Sequence, residues 1–210
     1  MADHLEDLNL GAPTEPRPAA SMILLRRGAG HSSSGLEVLL VKRTPKARFM
    51  PNVWVFPGGA VDAFEPAREA EEWDYVATAI RELEEEVALK LDQAAEIVPF
   101  SRWITPVEVK VRFDTRFYLA LAPPHASPRP DEHEIVDCGW FAPAEALERH
   151  YAGELPLVFP TIKQLEPLRE FATPDEAMAA ARAIVVEPIL PRVVAGNGEP
   201  RVLLPGDPGY

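Results

Sequence analysis

The chain has 210 residues, 47% of them hydrophobic, enough for one domain with a real core. Its formal net charge of −12 argues against DNA, RNA or an acidic membrane surface as the main partner, since binders of these carry a basic face. A single cysteine, Cys138, rules out an internal disulfide and fits a reducing, cytoplasmic setting, and no apolar run approaches the roughly 20 residues that span a bilayer.

Residues 1–18 are acidic and Pro-rich and read as a disordered leader rather than a targeting peptide. "ASMILLRR" (20–27) and "LEVLLVKR" (36–43) read as two strands of a hairpin with a long tip. "TPKARFMPN" (44–52) is an irregular basic loop, and "VWVFPGG" (53–59) a short buried strand entering a Gly-rich turn. Residues 60–71 are polar and loop-like. The clearest helix is 72–91, where Val76, Ile80, Leu83, Val87 and Leu91 recur at spacings of three and four. Strands are expected at 96–105, 111–122 and 135–143, with a Pro-rich loop at 123–134. Helices are expected at 144–153, 161–172 and 174–184, before an extended, proline-punctuated tail. Strands on both sides of a central helix predict a mixed α/β sandwich.

The central helix contains "RELEEE" (81–86), four carboxylates in six residues. Most Glu-rich helix faces are simply solvated. Here Glu82, Glu85 and Glu86 stand at i, i+3 and i+4 and form one stripe, placed roughly opposite the apolar one, where like charges repel by roughly a few tenths of a kcal/mol per pair. A hard cation would remove that cost. Carboxylates suit Mg²⁺ or Mn²⁺, and Mg²⁺ completes its shell with waters and substrate phosphates. No His or Cys lies beside the stripe, which argues against zinc. Upstream, Gly58 and Gly59 follow a strand and permit close backbone approach to a ligand.

Together these residues resemble the Nudix box, G-x5-E-x7-R-E-U-x-E-E-x-G-U, with U a bulky aliphatic. Gly59 and Glu65 match its first part, and residues 81–89 its second, except that Ala88 replaces glycine. Fifteen residues separate Glu65 from Arg81 where the pattern has seven, which reads as an eight-residue insertion. Since alanine is disfavoured in the left-handed cap the glycine would form, the helix is expected to run on to about Leu91. The resemblance implies a Nudix-type α/β/α sandwich with a mixed sheet over residues 19–155. A C-terminal extension, 156–210, would add helices and a tail packed on the same domain, covering the cleft or forming a homodimer interface. It further implies Mg²⁺ or Mn²⁺ held by Glu82, Glu85, Glu86 and the Gly58 carbonyl. Arg81 would orient Glu82, which would ligate metal or act as base. A further catalytic carboxylate would come from the loop before Trp140, Glu134 first and Glu132 second.

A Nudix hydrolase cleaves a nucleoside diphosphate linked to another moiety, so basic residues are expected locally on this acidic chain. Lys42, Arg43, Lys46 and Arg48 cluster before the glycines, and Arg112 and Arg116 alternate along one strand with Asp114. Arg43, Arg48, Gly59, Arg112 and Arg116 are therefore candidates for substrate binding. "LLVKRTPKARFMPNVWVFPGG" (39–59) resembles the pattern L-L-T-x-R-S-x3-R-x3-G-x3-F-P-G-G of coenzyme A diphosphatases, with Val41, Thr44 and Asn52 in place of Thr, Ser and Gly. The leading expectation is metal-dependent hydrolysis of coenzyme A or an acyl-CoA to 3′,5′-ADP and an (acyl)phosphopantetheine. The alternatives are an ADP-ribose, NADH or nucleotide-sugar pyrophosphatase, and, in another class, a nucleotide-sensing module without catalysis.

Overall fold

The computed structural model describes residues 9, 11–28, 35–61, 71–194 and 201–210. The tip of the first hairpin and Glu65, with most of the segment before the central helix, lie outside the described residues.

Among the described residues, ten strands and four helices follow one another. β1 (Arg17–Arg27), β2 (Leu36–Arg43), β3 (Trp54–Val55) and β4 (Gly58–Ala60) precede the helix α1 (Glu71–Val87). β5 (Ile97–Ile104), β6 (Phe113–Leu121) and β7 (Ile135–Phe141) lead into α2 (Pro143–Tyr151), α3 (Phe159–Leu168) and α4 (Pro174–Arg182). The tail supplies β8 (Pro188–Ile189), β9 (Arg192–Val194) and β10 (Arg201–Leu203).

One mixed sheet of eight strands has the order β3-β2-β1-β6-β5-β8, with β4 attached to β1 and β7 to β2. Its spine is the parallel pair β1–β6, in register from Arg17–Phe113 to Leu25–Leu121. Along its other edge β1 changes partner. Leu25–Arg27 pair with β2, whereas Ala19–Ser21 pair with β4. β2 meanwhile takes β3 at Val41 and Lys42. The sheet therefore splits between β1 and β2, and the chain from β3 to β4 bridges the split.

β1 explains why "ASMILL" is continuously apolar: both of its faces are covered, as in other strands buried on two sides. Ile23 and Leu25 face a core shared with α2, α3 and α4, while Ala20, Met22 and Leu24 face a second core under α1. α3 and α4 contribute Leu165, Leu168, Ala177 and Met178 to the first core, and β8 pairs with the end of β5.

Four features differ from expectation. β1 begins at Arg17, inside the segment read as a leader, because Arg17 already donates its N–H to the Arg112 carbonyl at 2.9 Å. Gly58–Ala60 are a strand rather than a turn, since their backbone pairs with β1. α1 ends at Val87, not Leu91, and Ala88 takes the left-handed cap itself, with φ 56° and its N–H on the Glu84 carbonyl at 2.9 Å. Finally, the buried face of α1 runs through Tyr75, Thr78, Ala79, Leu83, Glu86 and Val87, whereas Val76, Ile80 and Leu91 are only partly buried. Glu86 is thus in line with the core rather than opposite it.

Candidate active site

α1 crosses β4 closely, and the two glycines make that approach possible. A Cβ on Gly59 would stand 2.3 Å from Glu82 Oε1, and one on Gly58 would stand 2.4 Å from the Ala20 carbonyl oxygen. Either contact is shorter than real Cβ atoms tolerate: at Gly58 the obstacle is β1 backbone, and at Gly59 it is the Glu82 carboxylate, which would have to move.

The acidic stripe is divided by burial. Glu86 is 5% exposed, and its Oε2 accepts the Gly58 N–H at 3.0 Å. Burial pushes its carboxyl up to about 8, aided by the negative charges of Glu82 and Glu134 and opposed by the Gly58 hydrogen bond and the Arg43 charge. Glu82, with a 15% exposed side chain, is also raised, chiefly by burial, against the pull of Arg81. Glu85 is more open at 59% and is drawn to Arg81, whose Nη1 lies 2.5 Å from its Oε2. Arg81 Nη2 lies 2.8 Å from Glu82 Oε1, so one guanidinium spans the two carboxylates. Glu84 is exposed and paired with Lys90 at 2.7 Å.

Glu134 arrives from far along the chain, on the segment between β6 and β7. Its charge acts on both Glu82 and Glu86. Its carbonyl accepts the Thr44 N–H at 2.8 Å, next to the end of β2. Arg43, at that strand end, acts on Glu86, and its buried Nε has no hydrogen-bond partner among the described residues. Glu82, Glu86, Glu134, Arg43 and Gly58 are therefore brought together from a helix, a loop and two strands. Glu132 is exposed.

The remaining candidates come from other segments. Arg48 is exposed on the loop between β2 and β3, beside Phe49, which packs on Phe113 with centroids 6.2 Å apart. Arg116 is in register with Ala20, itself in register with Gly59. It thus lies two strands, about 10 Å, from that glycine. Its guanidinium sits 3.9 Å from the centroid of Tyr75, a residue outside the predicted stripe, whose signal is its spacing of seven from Glu82. Arg112 corrects the expectation of a strand-face phosphate ligand. It precedes β6, is 8% exposed, and donates to the carbonyls of Thr105 and Thr14.

Among the described residues, no three acidic, His or Cys side chains stand converged as a finished cation site. The donor set nonetheless fits Mg²⁺ or Mn²⁺. Glu86 is buried and Glu82 partly buried, their charges are mutually unfavourable, and Mg²⁺ needs only one or two carboxylates beside its waters.

Comparison with known proteins places the chain's sequence and fold. Residues 15–159 match the NUDIX domain. The chain is 29% identical, over 92% of its length, to a putative nudix hydrolase 7 of Caenorhabditis elegans, of which it covers 74%. Over 69% of its length it is 33% identical to the acyl-coenzyme A diphosphatase NUDT19 of Gallus gallus, the match spanning 41% of that protein. The crystal structure of a NUDIX hydrolase from Alicyclobacillus acidocaldarius superposes with a TM-score of 0.69 at 27% identity, covering 79% of this chain and 96% of that one.

Proposed function

The chain belongs to the Nudix family of pyrophosphohydrolases, and from that premise we propose that its substrate is coenzyme A or an acyl-CoA. The products would be 3′,5′-ADP and an (acyl)phosphopantetheine. The observation that carries this reading is the backbone of the loop between β2 and β3. Asn52 stands where the coenzyme A pattern has glycine, and its φ of 59° is the left-handed conformation that asparagine tolerates better than other side chains. The substitution thus suits the backbone of a loop that begins after Arg43 and carries Arg48. The likeness to the chicken acyl-coenzyme A diphosphatase supports the same reading.

In this proposal Glu82, Glu85 and Glu86, with the Gly58 carbonyl, hold Mg²⁺ or Mn²⁺. The bound ion supplies Lewis acidity, withdrawing charge from the phosphoryl oxygens and acidifying water. Arg81 orients Glu82 and releases Glu85 toward the site. Glu134 accepts the proton of the attacking water while the water oxygen bonds to phosphorus and the bridging P–O bond breaks. Arg43 and Arg48 grip the non-bridging oxygens, a task suited to the guanidinium fork. Gly59 lets the substrate approach the backbone. A cytoplasmic setting belongs to the same proposal.

The test is a panel of coenzyme A, an acyl-CoA, NADH, ADP-ribose and ADP-glucose with Mg²⁺ or Mn²⁺, with product identification. Release of 3′,5′-ADP and phosphopantetheine is expected. Turnover confined to ADP-ribose, NADH or the nucleotide sugar overturns the substrate assignment. Tight nucleotide binding without turnover of any compound would favour a sensor.

A further inference from the structure

The segment between β6 and β7 closes in a tight turn over 131–135, and one carboxylate organises it. Asp131 Oδ1 accepts the N–H of Ile135 at 2.8 Å and of His133 at 3.2 Å, and its Oδ2 accepts that of Glu134 at 3.1 Å. A weaker contact runs from the Glu134 N–H to Oδ1 at 3.2 Å. Within the turn Glu132 takes φ 63°, and its N–H reaches the Ile135 carbonyl at 2.9 Å. A non-glycine residue in that conformation costs about 1 kcal/mol or more, which the surrounding hydrogen bonds must offset.

The turn is also fastened from outside. The Asp131 N–H donates to the Glu86 carbonyl at 3.1 Å, and the Arg129 N–H donates to that of Val87 at 2.9 Å. These are carbonyls at the end of α1, where a helix leaves its last acceptors without internal partners. The Thr44 N–H grips the Glu134 carbonyl from β2. The backbone that carries Glu134 is thereby built onto the same helical turn that carries Glu86.

We propose that Asp131 is a positioning residue for the hydrolysis, its carboxylate fixing the turn that presents Glu134 to Glu82 and Glu86. This rests on the reading above that Glu134 takes part in the reaction. A side chain on an exposed loop is otherwise free to leave the site, and a misplacement of about 1 Å can cost about 100-fold in rate. Aspartate suits the task because its two oxygens can receive three N–H groups at once. Asparagine offers one acceptor oxygen and sets a donor against the Glu134 N–H.

The test is a cycle of Asp131→Ala, Glu134→Gln and the double variant in the full chain. It is assayed with Mn²⁺ and coenzyme A, or with ADP-ribose if coenzyme A does not turn over. Each single change should lower kcat about 100-fold, with KM held within about twofold. The double variant should be no slower than Glu134→Gln by more than about twofold, the signature of two residues acting through one step. Asp131→Asn should recover about tenfold over alanine. It also stands in if the alanine variant does not fold, and should then lose nothing further when combined with Glu134→Gln. Wild-type kcat in Asp131→Ala, or losses that multiply in the double variant, overturns the positioning role. Wild-type kcat in Glu134→Gln overturns instead the reading on which it rests.

Discussion

Glu86 concentrates the electrostatic tension of the site. A carboxyl raised to about 8 by burial keeps a proton in the folded state that the unfolded chain releases nearer its ordinary pKa of 4.5. Between these values the native protein binds more protons, so metal-free stability falls as pH rises, by roughly 1.4 kcal/mol per unit at most. Thermal melts of metal-free protein from pH 5 to pH 8 should show this decline, and Glu86→Gln should flatten it. Mn²⁺ should restore stability at pH 8 in the wild type and not in the variant, because binding needs the ionised carboxylate. Gly59 offers a steric counterpart. Its added methyl in Gly59→Ala would meet Glu82 Oε1 at 2.3 Å and displace that carboxylate, so kcat/KM should fall about 100-fold or more. Circular dichroism should remain native.

The helix α1 shows how a local rule is overridden. Alanine is the best helix former, and nothing around residue 88 forbids continuation locally. Leu89 is nevertheless 6% exposed and belongs to the core under α1, and its N–H folds back to the Leu83 carbonyl at 3.4 Å. Burying Leu89 requires the chain to turn at Ala88, and burial of a leucine, worth about 1.5–3 kcal/mol, outweighs the strain of a left-handed alanine. Ala88→Gly should therefore raise stability by about 1 kcal/mol with kcat unchanged, measurable as a shift of the urea midpoint at constant slope. The expected apolar stripe was close to the observed face because a period of 3.6 is a local property. It could not show that Glu86 sits in line with Ala79 and Leu83. That is permitted by the Gly58 N–H, which comes from a strand 28 positions earlier.

At the scale of the whole molecule, the site is the place where the sheet splits. β1 hands its edge from β2 to β4, α1 lies over β4, and the Asp131 turn joins α1 to the end of β2. Arg112 belongs to this scale as well. Its buried guanidinium ties Thr14, before β1, to Thr105, after β5. Arg112→Ala should lower unfolding free energy by about 1–3 kcal/mol by leaving buried carbonyls without donors. Substrate KM should stay within about twofold, in contrast to Arg43→Ala, which removes a charge that acts on Glu86. By itself the amino-acid sequence determined the longer strands and the helices in their order, the acidic helix, the glycine pair and the family. These depend on hydrophobic period, on turn residues and on short motifs, all local in the chain. Only the tertiary structure decided which carboxylates are buried, that Arg112 is a structural tie, and that Ala88 ends its helix. Those outcomes depend on hydrogen bonds and desolvation between segments tens of residues apart, and no local pattern records them.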